Sequence, residues 1–288
     1  MGKILFVINP IAGDTDKGHL KNDITKILGS NEISFFETTG EDDETKLNEK
    51  LDDVSPEITV ACGGDGTVNL VVKCIIGKDI KLGIIPLGSA NGLATELEIP
   101  ADINQAINLY NNPKVRTVDV LRVNDEFLCI HLSDIGLNAK LIRRFEGDNS
   151  RGMVSYFKHF FQTFFSKKAI NYSFDFENDF FQYKAEMVVF ANAKKYGTGA
   201  IVNPVGELGD RKFEVCIFQP YPWYAFFRLT YLFFVGRLNY SPFVKIVGTE
   251  KITVTGEQPE HLQIDGEPIG KFKKVKVEVL PDQILVVC

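Results

Sequence analysis

Residues 58–69, Ile-Thr-Val-Ala-Cys-Gly-Gly-Asp-Gly-Thr-Val-Asn, constrain the fold more than any other stretch of the chain. A short apolar run ends in glycines around one acid, and an apolar helical pattern begins at once. Ile58–Cys62 reads as a buried strand, Gly63, Gly64 and Gly66 permit a tight turn and close approach to a ligand, and Thr67 can open the following helix. The free N–H groups at such a helix start face an anion, so the segment reads as a phosphate cradle. It lacks the lysine of the GxxxxGK[ST] loop and does not fit GxGxxG. Compensating charge must therefore come from elsewhere, most simply from Mg2+ near Asp65. On its own, the plainer reading is a glycine turn with an aspartate helix cap.

Two further junctions follow the same logic. Lys3–Ile8 is an apolar strand running into Asn9-Pro10-Ile11-Ala12-Gly13, and Leu82–Ile85 runs into Pro86-Leu87-Gly88-Ser89-Ala90-Asn91-Gly92. In an open parallel sheet such loops converge at the carboxyl ends of the strands, so the three together suggest one nucleotide site. Strands are expected near 3–8, 33–38, 58–62 and 81–85, with helices near 18–28, 43–52, 67–76 and 102–110. This predicts a doubly wound parallel α/β nucleotide domain over residues 1–115. From Thr117 the pattern turns β-rich, with runs such as Val118–Val123, Ala185–Ala191, Phe213–Gln219, Ile252–Thr255, Leu262–Ile264 and Ile284–Val287. A β-sandwich domain is expected over 116–288, and Asn111-Asn112-Pro113 is the most turn-like boundary.

The chain has 288 residues, 44% of them hydrophobic, enough for two cores. Its five cysteines are odd in number, scattered and mostly inside apolar runs, which favours a reduced, cytoplasmic chain over a disulfide framework. The first apolar run is too short for a secretory leader. Net charge is −6, and residues 1–60 carry 13 acids against 6 bases, so the acidic excess lies in the first domain. No basic stripe recommends a nucleic-acid partner. Sheet edges in the β-rich half leave room for a homodimer, which no residue pattern demands.

Two aromatic segments interrupt the β-rich half, Tyr156–Phe165 and Tyr221–Val235. Lys158 and Arg228 break them, so neither spans a bilayer. Core packing under the sandwich is the plainer reading. The functional alternatives are an acyl-chain pocket, or a membrane-docking surface presenting Trp223, Tyr224 and Phe226 or Phe227.

Asn-Pro-Ile-Ala-Gly at 9–13, Gly-Gly-Asp-Gly-Thr-Val-Asn at 63–69 and Pro-Leu-Gly-Ser-Ala-Asn-Gly-Leu-Ala at 86–94 resemble, in order and spacing, the diacylglycerol kinase catalytic family, which includes bacterial lipid kinases and sphingosine kinases. The resemblance continues through VDVLRVN at 118–124, IGLNAKLI at 135–142, RGMVSYFK at 151–158, ANAKKYGTGAIVNP at 191–204, LGDRKFEV at 208–215 and QIDGEP at 263–268. It implies an NAD kinase/diacylglycerol kinase-like fold and an ATP- and Mg2+-dependent lipid kinase. Such an enzyme would take a lipid substrate from a membrane surface, placing the chain in the cytoplasm or at the inner face of the membrane.

Carried over by position, the resemblance puts Asn9, Pro10, Gly13, Thr38, Gly63, Gly64, Asp65, Gly66, Thr67, Asn69, Ser89 and Asn91 in the nucleotide-binding set. Thr39 leaves a one-residue ambiguity at Thr38, and either can be a helix cap. Glu267 matches the general base for the lipid hydroxyl; from the residues alone, Asp265-Gly266-Glu267 is a hairpin turn. Asp65 is expected to organise Mg2+ and water beside the transferred group. Asp210, with backbone carbonyls of Glu207 and Lys212, matches a separate structural Mg2+ site. There Arg211 replaces a glycine, which is strained if the turn needs positive φ. Gly92 stands where many bacterial members carry Asp. The four histidines share no spacing and read as surface or satisfied core groups. The preferred acceptor is diacylglycerol or a related lipid, a sphingoid base is the enzyme alternative, and a non-catalytic lipid- or nucleotide-binding regulator is the alternative of another class.

Overall fold

The computed structural model describes residues 2–13, 19–29, 31–89, 91–136, 169–177, 179–195 and 201–288. The aromatic segment Tyr156–Phe165, RGMVSYFK and IGLNAKLI beyond Gly136 lie outside the described residues. Two units result: Met1–Val120 joined by Pro281–Cys288, and Leu121–Leu280.

The first unit alternates β1 (Lys3–Ile8), α1 (Leu20–Ile27), β2 (Glu32–Glu37), α2 (Asp43–Val54), β3 (Ile58–Gly63), α3 (Asp65–Ile75), β4 (Lys81–Pro86), α4 (Gly92–Glu96), α5 (Ile103–Asn108) and β5 (Val115–Val118). The sheet order is β2-β1-β3-β4, then the C-terminal strand Ile284–Val287, then β5; only β5 runs antiparallel. Helix α1 packs with α5 and α2 with α3, as right-handed crossovers on a sheet that reverses its strand order require. Leu47, Leu51 and Val54 of α2, and Val68, Val71, Val72 and Ile75 of α3, fall at helical spacing and are buried. The central strands are covered on both faces, so Leu5, Phe6, Val7, Val60, Ala61, Ile84 and Ile85 are all buried without alternation. Each large side chain so buried contributes roughly 1.5–3 kcal/mol. Tyr110 closes the layer, its hydroxyl donating to the Ile84 carbonyl at 3.1 Å.

The second unit holds β6 (Leu121–Val123), β7 (Phe127–Cys129), β8 (Leu132–Gly136), β9 (Ile170–Asp175), β10 (Phe180–Ala185), β11 (Met187–Ala191), β12 (Phe213–Phe218), α6 (Ala225–Phe234), β13 (Val244–Thr249), β14 (Lys251–Ile264) and β15 (Glu267–Val279). The order is β13-β12-β11-β8-β14-β15-β6-β7, with the β9–β10 hairpin on β14, all antiparallel. Strand β14 is 14 residues long and serves two leaves. Its first half pairs with β9 and its end with β8, and a register shift between Thr255 and Glu260 makes the bend. Phe174, Phe190, Phe213, Val254, Leu262 and Val275 meet in the sandwich core. Strand β12 is buried along its whole length because its other face, with Cys216 and Phe218, packs in a second cluster with Leu229 of α6.

The structure differs from the sequence reading in three places. The division at 115/116 becomes one at 120/121, and the last residues return to the first unit. The run Val118–Val123 looked continuous because both of its strands are apolar, yet it breaks at buried Asp119, which accepts a hydrogen bond from Gln283 of the returning segment. The β9–β10 hairpin was not foreseen; its β10 half, Phe-Phe-Gln-Tyr-Lys-Ala, is largely uncovered and lacks the apolar run sought in the sequence.

Candidate active site

The strand register explains why the glycine loops lie together. Ile8 pairs with Cys62 and Gly63 with Pro86, so β1, β3 and β4 end at the same level. The backbone bonding continues past the strand ends: Asn9 N–H donates to Cys62 O at 3.0 Å, Leu87 N–H to Gly63 O at 2.9 Å and Thr38 N–H to Ile8 O at 2.9 Å. Four loop starts, at Asn9, Thr38, Gly64 and Leu87, are thereby tied to one sheet end.

Beyond this level the loops touch through backbone. A Cβ on Gly88 would sit 2.4 Å from the Gly64 Cα, and one on Gly13, at φ +59°, would sit 2.1 Å from the Leu87 carbonyl oxygen. Glycine is required at both positions by proximity, and at Gly13 by torsion as well. Asn91, itself left-handed at φ 51°, closes the third loop: its Oδ1 accepts from Gly88 N–H at 2.9 Å and its Nδ2 donates to Gly88 O at 2.7 Å. Asp65 joins two loops, because its Oδ1 accepts the Gly92 N–H at 2.8 Å. The Asp65 carboxylate therefore caps α4, and the residue that departs from the family pattern supplies the donor. Asn9 Nδ2 donates to Thr67 Oγ1 at 3.4 Å, and Asn9 Oδ1 accepts the Ile11 N–H at 3.1 Å. The buried Oδ1 of Asn69, in the first turns of α3, has no hydrogen-bond partner among the described residues. Ser89 is exposed at the tip of its loop.

The Thr38/Thr39 ambiguity has a structural side. Thr39 is used locally: its N–H and hydroxyl both donate to Asp43 Oδ1, at 2.8 and 3.1 Å. The Thr38 hydroxyl makes no hydrogen bond among the described residues. A cavity of about 420 Å³ near the β4 end is lined by Asp23 and Asp102 together with Pro86 and Leu87. Two carboxylates disfavour polyphosphate there, whereas helix start α3 and its glycines suit an anion.

In the second unit, Glu267 is exposed and follows a two-residue turn with Asp265 at φ 49° and Gly266 at φ 91°. Both central torsions are positive, as a tight hairpin with the strand twist demands. Asp265 anchors this turn: Oδ1 accepts the N–H groups of His131 and Leu132 at 2.9 and 3.0 Å, and Oδ2 accepts that of Ile130 at 2.9 Å. The Cys129 thiol adds a weak donor at 3.4 Å, and both burial and the Asp265 charge push its pKa well up. Gln263 braces the same turn, accepting Gly266 N–H at 2.7 Å on its Oε1 while its amide donates to buried Asp134. Neither Asp265 nor Gln263 was singled out from sequence. The available signal, Asp-Gly after an apolar run, marks a turn and says nothing of donors from the β7–β8 connection. His131 is buried with an Nε2 that has no partner among the described residues, so it is not the satisfied core group expected.

At the expected structural metal site, Arg211 has φ 65°, so the turn does use the left-handed conformation that glycine would adopt freely. Asp210 Oδ1 accepts the Lys212 N–H at 2.9 Å. Glu214 is buried nearby and accepts from Asn203 Nδ2 at 2.5 Å; burial first, and then the charges of Asp210 and Glu207, push its pKa up. Among the described residues, no group of three or more His, Cys, Asp or Glu side chains is placed to hold a metal ion. Nor is any described helix long and apolar enough to cross a membrane.

Comparison with known proteins agrees with this layout. Residues 3–123 match the family model of the diacylglycerol kinase catalytic domain, and residues 134–288 match that of the YegS C-terminal NAD kinase beta sandwich-like domain. The chain is 25% identical over 276 residues to a diacylglycerol kinase of Staphylococcus haemolyticus, covering 93% of this chain and 82% of that one. It is 27% identical over 206 residues to a protein of an Enterobacter species named probable lipid kinase YegS-like, covering 69% of each. Among solved structures, a diacylglycerol kinase of Bacillus anthracis superposes with a TM-score of 0.73 at 18% identity, covering 99% of this chain and 96% of that one. An NAD kinase of Archaeoglobus fulgidus in complex with ATP superposes with a TM-score of 0.56 at 15% identity, covering 99% and 93%. With both halves matched in order on a parallel-sheet domain followed by a β-sandwich, the chain belongs to the diacylglycerol kinase catalytic-domain family of YegS-like kinases.

Proposed function

We propose that this protein transfers the γ-phosphoryl group of ATP to a hydroxyl of diacylglycerol or a related lipid presented at a membrane surface. The observation that carries the reading is the joining of the glycine loops through Asp65 at the start of α3, in a chain of this family. Phosphoryl transfer needs phosphates held in place, charge neutralised and an acceptor oxygen aligned. The backbone of Asn9–Gly13, Gly63–Thr67 and Gly88–Asn91 holds the nucleotide, with Thr38 and Ser89 contributing hydroxyls. Mg2+ would come with the nucleotide, whose phosphate oxygens would supply part of its ligand shell, since the described residues place no group of three or more His, Cys, Asp or Glu side chains for a metal ion. Asp65 and the unpartnered oxygen of Asn69 are the groups fitted to hold it. Glu267 accepts the proton of the attacking hydroxyl, and Asp265 and Gln263 fix the turn that presents it.

The test is transfer from γ-labelled ATP with Mg2+ to diacylglycerol, monoacylglycerol, sphingosine, ceramide and phosphatidylglycerol in mixed micelles, with NAD as a control acceptor. Transfer to one lipid, lowered on the order of 10²- to 10⁴-fold in Glu267→Gln with ATP binding retained, is the expected result. ATP binding without transfer to any acceptor would favour the regulatory alternative. A second Mg2+ is proposed at Asp210 with the carbonyl oxygens of Glu207 and Lys212, and an unchanged Mg2+ dependence in Asp210→Ala would remove it.

A further inference from the structure

Helix α6 and the turn before it present aromatic side chains that the described fold leaves uncovered. Trp223 is 73% exposed, Phe227 69% and Tyr231 63%, and Phe234 is 49% exposed one turn on. Steps of four and three residues place Phe227, Tyr231 and Phe234 on one stripe, and Trp223 lies in the turn just before the helix. Ala225, Phe226, Leu229 and Leu232 form the opposite, buried stripe, and Leu229 packs in the cluster beneath the β8-β11-β12 leaf. Phe226 is therefore core, and Phe227 is the residue available to a surface.

The charge on this segment is one-sided. From Val215 to Thr249 the chain has no Asp or Glu and three bases, Arg228, Arg237 and Lys245, although the whole protein carries a net charge of −6. Arg228 and Arg237 are exposed and make no ion pair among the described residues. Exposed Trp, Tyr and Phe side chains in a segment whose exposed charges are arginines match an interface whose outer layer is anionic and whose interior is apolar. At 10 residues the helix is about 15 Å long, against about 30 Å of hydrocarbon, so it can lie in the interface and cannot span it.

We infer that the Trp223–Phe234 face of α6 docks the protein on an anionic lipid bilayer, the arginines meeting headgroup phosphates and the aromatic rings entering the headgroup layer. This deepens the lipid-acceptor reading above and rests on it for its purpose. Trp223 is the single tryptophan of the chain, so its emission reports the contact directly. The full-length protein is titrated with phosphatidylcholine vesicles with and without phosphatidylglycerol, with brominated acyl chains as quenchers, and phosphotransfer to micellar lipid is measured separately. The expected result is a blue shift and quenching that strengthen with phosphatidylglycerol and weaken with salt, and an affinity reduced about tenfold or more in Phe227→Asp at unchanged melting temperature. Emission indifferent to every vesicle, in protein that still phosphorylates micellar lipid, would overturn the docking and leave the kinase reading intact. A concentration-dependent dimer abolished by Phe227→Asp, with no vesicle response, would reassign the face to a second copy. Vesicle binding without phosphotransfer would uphold the docking and sink the kinase reading instead.

Discussion

The two regions proposed to carry the chemistry are built on opposite principles. At the end of the parallel sheet, loop geometry is held by the lack of side chains: Gly13 and Gly88 let backbones meet at distances no Cβ tolerates. At the Glu267 turn, geometry is held by one carboxylate, Asp265, which gathers three backbone N–H groups from a connection far away in sequence. The first is thus broken by adding an atom, and the second by removing a charge. Aspartates in the two regions are likewise unequal, since Asp65 joins two glycine loops while Asp265 holds a turn.

The same isosteric change therefore separates them. Asp65→Asn keeps an oxygen for the Gly92 N–H and is expected to leave stability within about 0.5 kcal/mol while lowering turnover at least about 10²-fold. Parallel melting and kinetic measurements check this, and an active Asp65→Asn would place the charge requirement elsewhere. Asp265→Asn is expected to act the other way round. Turning an amide toward three converging N–H donors strands at least one of them, at a cost of about 2–3 kcal/mol. Denaturant unfolding measures it, and a variant as stable as the parent would show that the turn holds itself. ATP affinity should survive in that protein, because the loops proposed to hold the nucleotide belong to the other unit. Gly88→Ala then probes the first principle by itself. Its Cβ meets Gly64 Cα, so about 1–3 kcal/mol of strain and a weakened ATP affinity are expected, read by calorimetric titration.

This asymmetry also governs what was legible. The loop cluster was visible because a strand, a glycine turn and a helix are local patterns, and three of them in one α/β unit have only one sheet end at which to meet. Parallel register did the rest, bringing Ile8 level with Cys62 and Gly63 level with Pro86. The Asp265 anchor was not visible, because its donors are backbone atoms of Ile130, His131 and Leu132, which every sequence possesses. The same holds for the return of Ile284–Val287 to the first sheet: four apolar residues carry no mark of which sheet they will join, and only pairing with β4 and β5 decides it. In the aromatic segment Tyr221–Val235 an apolar helix was open to the sequence. Which phenylalanine faced inward was not, because Phe226 and Phe227 differ only by the hundred degrees that the packing of Leu229 and Leu232 fixes.

The smallest effect concerns Glu214, where the second unit buries a carboxylate for neither purpose. Burial disfavours its charge, Asp210 and Glu207 add to that, and the hydrogen bond from Asn203 only partly offsets them, so its folded-state pKa is raised. A raised carboxylate pKa means that the folded protein binds this proton more tightly than the unfolded chain does. The stability it contributes is complete below the ordinary glutamate range and is lost as pH rises through that range to the folded value. Glu214→Gln, which keeps an acceptor for Asn203 without the charge, should therefore raise the melting temperature modestly at neutral pH. The advantage should shrink toward zero as pH falls below the glutamate range. If Mg2+ binds at Asp210 the sign at neutral pH should reverse in its presence, because the ion would stabilise the carboxylate that the substitution removes. Melting curves with and without Mg2+ across that range thus test the buried acid and the proposed metal site together, and a Glu214→Gln profile parallel to the parent at every pH would show that the carboxylate is no weaker an acid in the fold than outside it.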